Sequence, residues 1–182
     1  MTSIHLRPGG PHDAGPIADL HADSWRRHYR GAYSDSYLDG DVATERRGLW
    51  SARMADRTGT DTVVAERDGR LVGFIHVVLD DDPVWGSLVD NLHVVRDQQR
   101  TGLGTRLLAR AAQAVIDRAS GKAIHLWVLE QNTAARQFYL ASGATCVETG
   151  TVSPPGGDPS RLNGEPVKLR MVWPDASNLV RH

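Results

Sequence analysis

The residues Gln99-Arg100-Thr101-Gly102-Leu103-Gly104 follow an apolar stretch, Ser87 to Val95, and open a segment in which Leu103, Leu107, Leu108, Ala111, Val115 and Ile116 recur at helical spacing. A strand must hand over to a helix across a turn that carries two glycines, which commits the chain to an α/β architecture. Free amide N–H groups and the positive end of the helix dipole favour an anion at such a turn, and glycine lets the anion approach without meeting a β-carbon. A diphosphate fits that description. A P-loop does not, because Thr105-Arg106 stands where Lys followed by Ser or Thr is needed. A dinucleotide fingerprint is poorly matched as well: it needs a third glycine near Leu107 and an acidic residue closing the next strand, where Trp127-Val128-Leu129 stands. Taken alone, the two glycines serve equally to end a loop and to let helices pack closely.

The rest of the chain alternates in the same way. Ile4-His5-Leu6 reads as a short strand, and Pro11 to Asp13 opens a helix marked by Ile17, Leu20, Trp25 and Tyr29 that ends before Gly31. Ser36 to Arg57 carries Leu38, Val42, Leu49 and Met54 at helical spacing, interrupted by Gly40 and Gly48. Thr62 to Glu66 and Leu71 to Val78 flank Asp68-Gly69, a strong hairpin signal, so these strands are antiparallel neighbours. The acidic Asp80-Asp81-Asp82-Pro83 reads as a turn. A helix over Gly102 to Ala119, a strand over Ala123 to Leu129, a helix over Asn132 to Ser142 and strands at Ala144 to Val152 and Val167 to Trp173 complete a mixed α/β sheet. The Pro/Gly-rich stretch Ser153 to Gly164 reads as a long hairpin loop. The expected organisation is one domain over residues 1–174 with a short tail at 175–182.

At 182 residues with 40% hydrophobic and 24% charged side chains, the chain can bury a sizeable core, and a net charge of −1 provides no global field toward nucleic acid or anionic lipid. Met1 to His5 lacks the blocks of a secretory signal and the longest apolar run, Leu71 to Leu79, contains His76, so no membrane span and a cytoplasmic location are expected. The one cysteine, Cys146, rules out an intrachain disulfide and reads as a small buried hydrophobe in an apolar strand. No metal site is expected: His21 and His28 share a helix face without an accompanying carboxylate cluster, and the three aspartates before Pro83 read as a solvated turn. No Gly-x-Ser-x-Gly elbow exists for a serine hydrolase. Arg26, Arg27 and Arg30, with Trp25 and Tyr29 interleaved, do not amount to a nucleic-acid site.

A second string, Asn132-Thr133-Ala134-Ala135-Arg136-Gln137-Phe138-Tyr139 followed by Gly143, lies one strand after the glycine turn. Asn132 and Tyr139 are two helical turns apart and share a face, with Ala135 keeping that face shallow and Phe138 turned to the core. The spacing by itself equally makes Asn132 a helix cap and Tyr139 a core phenol. Together, in this order, the two strings resemble the signatures of the GNAT family of N-acetyltransferases, and the element pattern from Ile4 to Trp173 resembles that family throughout. The resemblance implies a central, mostly antiparallel sheet flanked by helices, with acetyl-CoA as cosubstrate. It assigns the diphosphate to the segment Gln99, Arg100, Thr101, Gly102, Leu103, Gly104 and Thr105, chiefly its backbone amides. It gives the pantetheine arm to the Leu92-His93-Val94 strand, with Asn132, Ala135 and Tyr139 alongside.

The implied reaction is direct transfer of the acetyl group to an amine of a small molecule or a protein, in a ternary complex. A thioester is already activated, so no protein nucleophile is needed, but an alkylamine with a pKa of ~10.4 must first lose a proton. The resemblance puts Tyr139 at the general-acid position. Some family members carry a glutamate as base four residues before Leu92; Leu88 stands there instead, and Asp90, on the same face as Leu88 and Leu92 if alternation holds, takes the role of proton acceptor. Alternation points His93 away from Asp90. Glu66 and Trp85 are candidates to line the acceptor site. A homodimer is left open, and the competing functions are an acyl-CoA sensor without acceptor chemistry and an unrelated nucleotide-binding domain.

Overall fold

The computed structural model describes residues 3–181; Met1 and Thr2, read above for a leader, and His182, the last residue of the expected tail, lie outside the described residues. Seven strands, β1 (His5–Pro8), β2 (Thr60–Arg67), β3 (Arg70–Asp82), β4 (Gly86–Val94), β5 (Ile124–Leu129), β6 (Thr145–Thr151) and β7 (Val167–Trp173), form one sheet in the order β1-β2-β3-β4-β5-β7-β6. Only β4 and β5 run parallel; every other neighbouring pair is antiparallel. Five helices flank the sheet: α1 (Ala14–His28), α2 (Asp35–Asp39), α3 (Val42–Ala55), α4 (Leu103–Arg118) and α5 (Thr133–Ala141). The mixed, mostly antiparallel sheet expected from the sequence is the one observed.

Strand alternation divides the core into layers. Val63, Ala65, Ile75, Val77 and Val89 pack under Leu103, Leu107, Leu108, Ala111 and Val115 of α4. On the opposite face, Val64 and Phe74 meet Ile17, Ala18 and Leu20 of α1 and Trp50 and Met54 of α3. Each large side chain fully withdrawn from water here contributes about 1.5–3 kcal/mol. The β2–β3 hairpin closes over two residues, Asp68 and Gly69, both at positive φ, as the Asp-Gly pair requires.

The structure departs from the sequence reading in several places. The single helix expected over Ser36 to Arg57 breaks at Gly40, whose ψ of −102° lies outside the helical range, giving α2 and α3. The acidic turn is largely strand: β3 runs through Asp82, and the carboxylates are spent locally. Asp80 accepts from the Ser120 amide and hydroxyl, and Asp82 from the amides of Val84 and Trp85. Cys146 is exposed rather than buried, because β6 is an edge strand that no helix covers. On α5 it is Tyr139 that is buried, while Phe138 is only half-covered and lies over Gly104. Residues of the expected tail form a 3-10 turn, Ala176–Leu179, whose Ala176 and Leu179 are buried in the α4 layer.

One irregularity places side chains that matter below. β3 and β4 are in register at Phe74–His93, Ile75–Leu92 and His76–Asn91, but the next pair is Val77–Val89, so Asp90 is an extra residue in β4. Such a bulge reverses the alternation beyond it. Asp90 and Asn91 therefore both reach Arg53 on α3, whereas Leu92 packs on the α4 layer. The face shared by Asp90, Leu88 and Leu92 does not exist.

Candidate active site

The parallel pair β4–β5 is held at only two positions, Ser87–Ile124 and Leu88–His125. Beyond them the strands diverge, and the edge of β4 from Val89 to Val94 has no strand partner on that side among the described residues. The gap is a cavity of about 640 Å³ bounded by β4, β5, the N-terminus of α4, α5, and side chains of α1 and α3.

One end is the glycine turn. Gly102 caps α4 at φ +84°, a left-handed conformation that disfavours any residue with a β-carbon. The first bond of the helix runs from the Arg106 amide to the Gly102 carbonyl, so the amides of Leu103, Gly104 and Thr105 have no carbonyl one turn behind them. Arg100, also at positive φ, and Gln99, Gly102, Gly104 and Thr105 line the cavity. Thr101 and Leu103 do not: Thr101 Oγ1 donates to the Gln98 carbonyl, tying the turn down, and the Leu103 side chain is in the core. These two can offer only backbone. A β-carbon on Gly104 would sit 3.2 Å from Phe138, so the second glycine also lets α4 and α5 pack closely. The anion-binding and packing readings thus coexist.

Along the middle, Leu92, His93 and Val94 line one wall and Asn132, Ala135 and Tyr139 the other. Asn132 caps α5, its Oδ1 accepting from the Ala135 amide. At the far end of α5 the Trp173 indole donates to the Ser142 carbonyl and meets the Tyr139 ring edge-on. Burial pushes the Tyr139 phenol well above its ordinary pKa, and its hydroxyl has no hydrogen-bond partner among the described residues. A proton-bearing, unpartnered phenol therefore borders the cavity.

The third region lies between α1, α3 and β4. Asp90 is the one carboxylate among the described residues that lines the cavity. Its Oδ2 is 2.6 Å from an Arg53 nitrogen, and a second Arg53 nitrogen donates to Asn91 Oδ1. His93 stacks on His21 with ring centroids 4.9 Å apart. Burial, reinforced by His28 and Arg27, holds the His93 pKa down to about 3, which makes it a weak proton acceptor. His21 is held well below its ordinary value, first by burial and then by the charges of His93, Arg46 and Arg53; its Nδ1 accepts from Trp50. Tyr29 faces the same space, its phenol pushed well up mainly by burial, with Tyr33, Tyr139 and Asp90 close enough to add to the effect.

Glu66 and Trp85 are not at the site. Glu66 pairs with Arg7 of the edge strand β1, and Trp85 stands over Arg170. The sequence reading did not select Arg46, Arg53, Ser24 or Trp25 for the cavity. Spacing along α1 and α3 was the available signal, and it does not separate a cavity face from a solvated one.

The sequence profile of the acetyltransferase (GNAT) family matches residues 22–144, a span that includes the glycine turn, the bulged β4 and α5. The chain belongs to the GNAT acetyltransferase family. A probable N-acetyltransferase of Mycobacterium tuberculosis is 30% identical over 142 residues, covering 76% of this chain and 78% of that one. The PaiA N-acetyltransferase of Thermoplasma acidophilum, solved in complex with coenzyme A, superimposes with a TM-score of 0.72 at 18% identity over 94% of this chain and 99% of that one. An acetyltransferase structure from Salmonella typhimurium with its cofactor acetyl-CoA gives 0.66 at 18% identity over 94% of each chain. This GNAT protein is thus an acetyl-CoA-dependent acetyltransferase. Among its described residues no helix is long and apolar enough to cross a membrane, and no cluster of three or more metal-ligating side chains occurs.

Proposed function

We propose that the chain acetylates a primary amine by direct attack within a ternary complex, with Tyr139 and Asp90 handling protons at opposite ends of the reacting group. The observation that carries this reading is the juxtaposition, around one cavity, of a helix N-terminus with free amides, a strand edge without a partner, an unpartnered phenol and a single carboxylate. The cradle fits a diphosphate: glycine at 102 and 104 keeps β-carbons away, and the amides of α4 supply donors. The unpaired edge of β4 fits an extended amide-bearing arm, which it would hold as a neighbouring strand would.

The bound thioester supplies an activated acyl group, and the protein supplies position and proton transfer. Asp90 keeps Oδ2 on Arg53, while Oδ1 has no protein partner among the described residues. That oxygen receives the proton of the attacking amine, directly or through water. Tyr139 donates a hydrogen bond to the sulfur as negative charge develops there. A phenol with a raised pKa is a poor acid toward a thiolate in water, but the sulfur in this cavity is desolvated too, and a donor already in place stabilises charge as it appears.

The test is release of free thiol from acetyl-CoA against a broad panel of amines, with the product identified by mass. Amine-dependent release and an acetylated amine support the reading. Stabilisation by CoA with no release on any amine would favour a sensor, and stronger stabilisation by ATP or NAD than by acetyl-CoA would favour a nucleotide-binding domain.

A further inference from the structure

Building on the acetyltransferase reading, we propose that the acceptor carries a carboxylate as well as its amine, and that Arg46 is the residue that selects it. Arg46 lines the cavity from α3, two helical turns before Arg53. Its guanidinium lies 4.5 Å from the centroid of the Trp25 ring, yet it makes no hydrogen bond or ion pair among the described residues, and its Nε is buried without a partner. A half-buried cation left in this state is an unfilled binding capacity.

The surrounding charges are already balanced. Arg53 is paired with Asp90, Arg161 with Glu45, and Arg27 with Asp23. Burial disfavours the charged forms of His21, His28 and His93. Among the described residues that line this end of the cavity, away from Arg100 at the glycine turn, Arg46 is the arginine without a carboxylate partner. The buried Nε edge of a guanidinium, together with an adjacent terminal nitrogen, presents two parallel donors that match a carboxylate. A phosphomonoester, at about −1.5 to −2, would overcompensate a single cation. Arg46, Arg53 and His21 line the same cavity, and both arginines help to lower the His21 pKa. An acceptor seated there would place its carboxylate on Arg46 and its amine toward Asp90 and Tyr139.

The experiment compares matched amines in the free-thiol assay: L-amino acids, their α-amides, the corresponding decarboxylated amines, and phosphoethanolamine. The parent protein should favour the carboxylate-bearing member by about tenfold or more in kcat/KM, the scale of one charge-assisted pair. R46Q should abolish that preference by raising acceptor KM while leaving the KM for acetyl-CoA and the rate on the amides unchanged. R46K, which keeps the charge and the place over Trp25, should retain part of it and guards against misfolding of R46Q. Equal or better use of amides or decarboxylated amines by the parent, preference for phosphoethanolamine, or an intact preference in R46Q would overturn the assignment to Arg46 and leave the transferase reading standing. Absence of thiol release with every amine would overturn both.

Discussion

Tyr139 is a phenol withdrawn from water, edge-on to Trp173 and without a hydrogen-bond partner among the described residues. A group held this way keeps its proton beyond the usual tyrosine pKa of ~10, so the alkaline limb of the rate profile should lie above that value. Replacing it by phenylalanine keeps the ring contact and removes the donor; kcat should fall roughly 10²-fold with the KM for acetyl-CoA unchanged. A Tyr139→Phe enzyme with parental kcat across pH would remove Tyr139 from the chemistry. Asp90 makes a different prediction. Its loss in Asp90→Asn leaves the acceptor to shed its own proton, so kcat should drop by about 10²-fold and the remaining kcat/KM should track the deprotonated fraction of the amine. A variant whose pH profile matches the parent's would show that the proton leaves by another route.

At the level of elements, the turn into α4 depends on one backbone conformation. Gly102→Ala has open space for its methyl, but φ +84° costs a residue with a β-carbon ~1–2 kcal/mol. Each kcal/mol should lower the melting midpoint by about 2–4 °C in a chain of this size, and calorimetry should show weaker acetyl-CoA binding because the α4 amides are re-aimed. An unchanged midpoint and affinity would mean that the turn adapts freely. That turn was legible in the sequence because its signal is local: strand, glycines and helix are contiguous, as Asp68-Gly69 is at its hairpin. The bulge at Asp90 was not, because it is a relation between β3 and β4 that neither strand states alone, and missing it put Leu92 on the same face as Asp90. Cys146 was misread for a similar reason: β6 carries strand residues, but its edge position is decided by β7. The open charge on Arg46 was invisible because every arginine of α3 looks alike until its partners are known.

Across the whole molecule, several histidines are buried as neutral groups. The pKa of His76 is pushed down to about 4 and that of His93 to about 3, chiefly by burial, and His21 is lowered as well. The unfolded chain binds protons at these rings near pH ~6.5, while the folded chain refuses them until the pH is much lower. Stability is therefore complete above that pH and is lost as acid carries the solution down through the window toward 4, at about 1.4 kcal/mol per pH unit for each ring. The lowered carboxylates such as Asp13 act only below their ordinary range and do not mask the effect. Thermal midpoints from pH 7.5 to 4.5 should fall steadily, and less so in His76→Gln; a flat profile would mean that the rings titrate normally. The two halves of the sheet, joined across β4–β5 by two residue pairs, behave in this light like the leaves of a book bound at one end of its spine. A slender guest lying in the open fold supplies the missing stitches, so amide exchange should slow on both pages at once, far from any atom it touches.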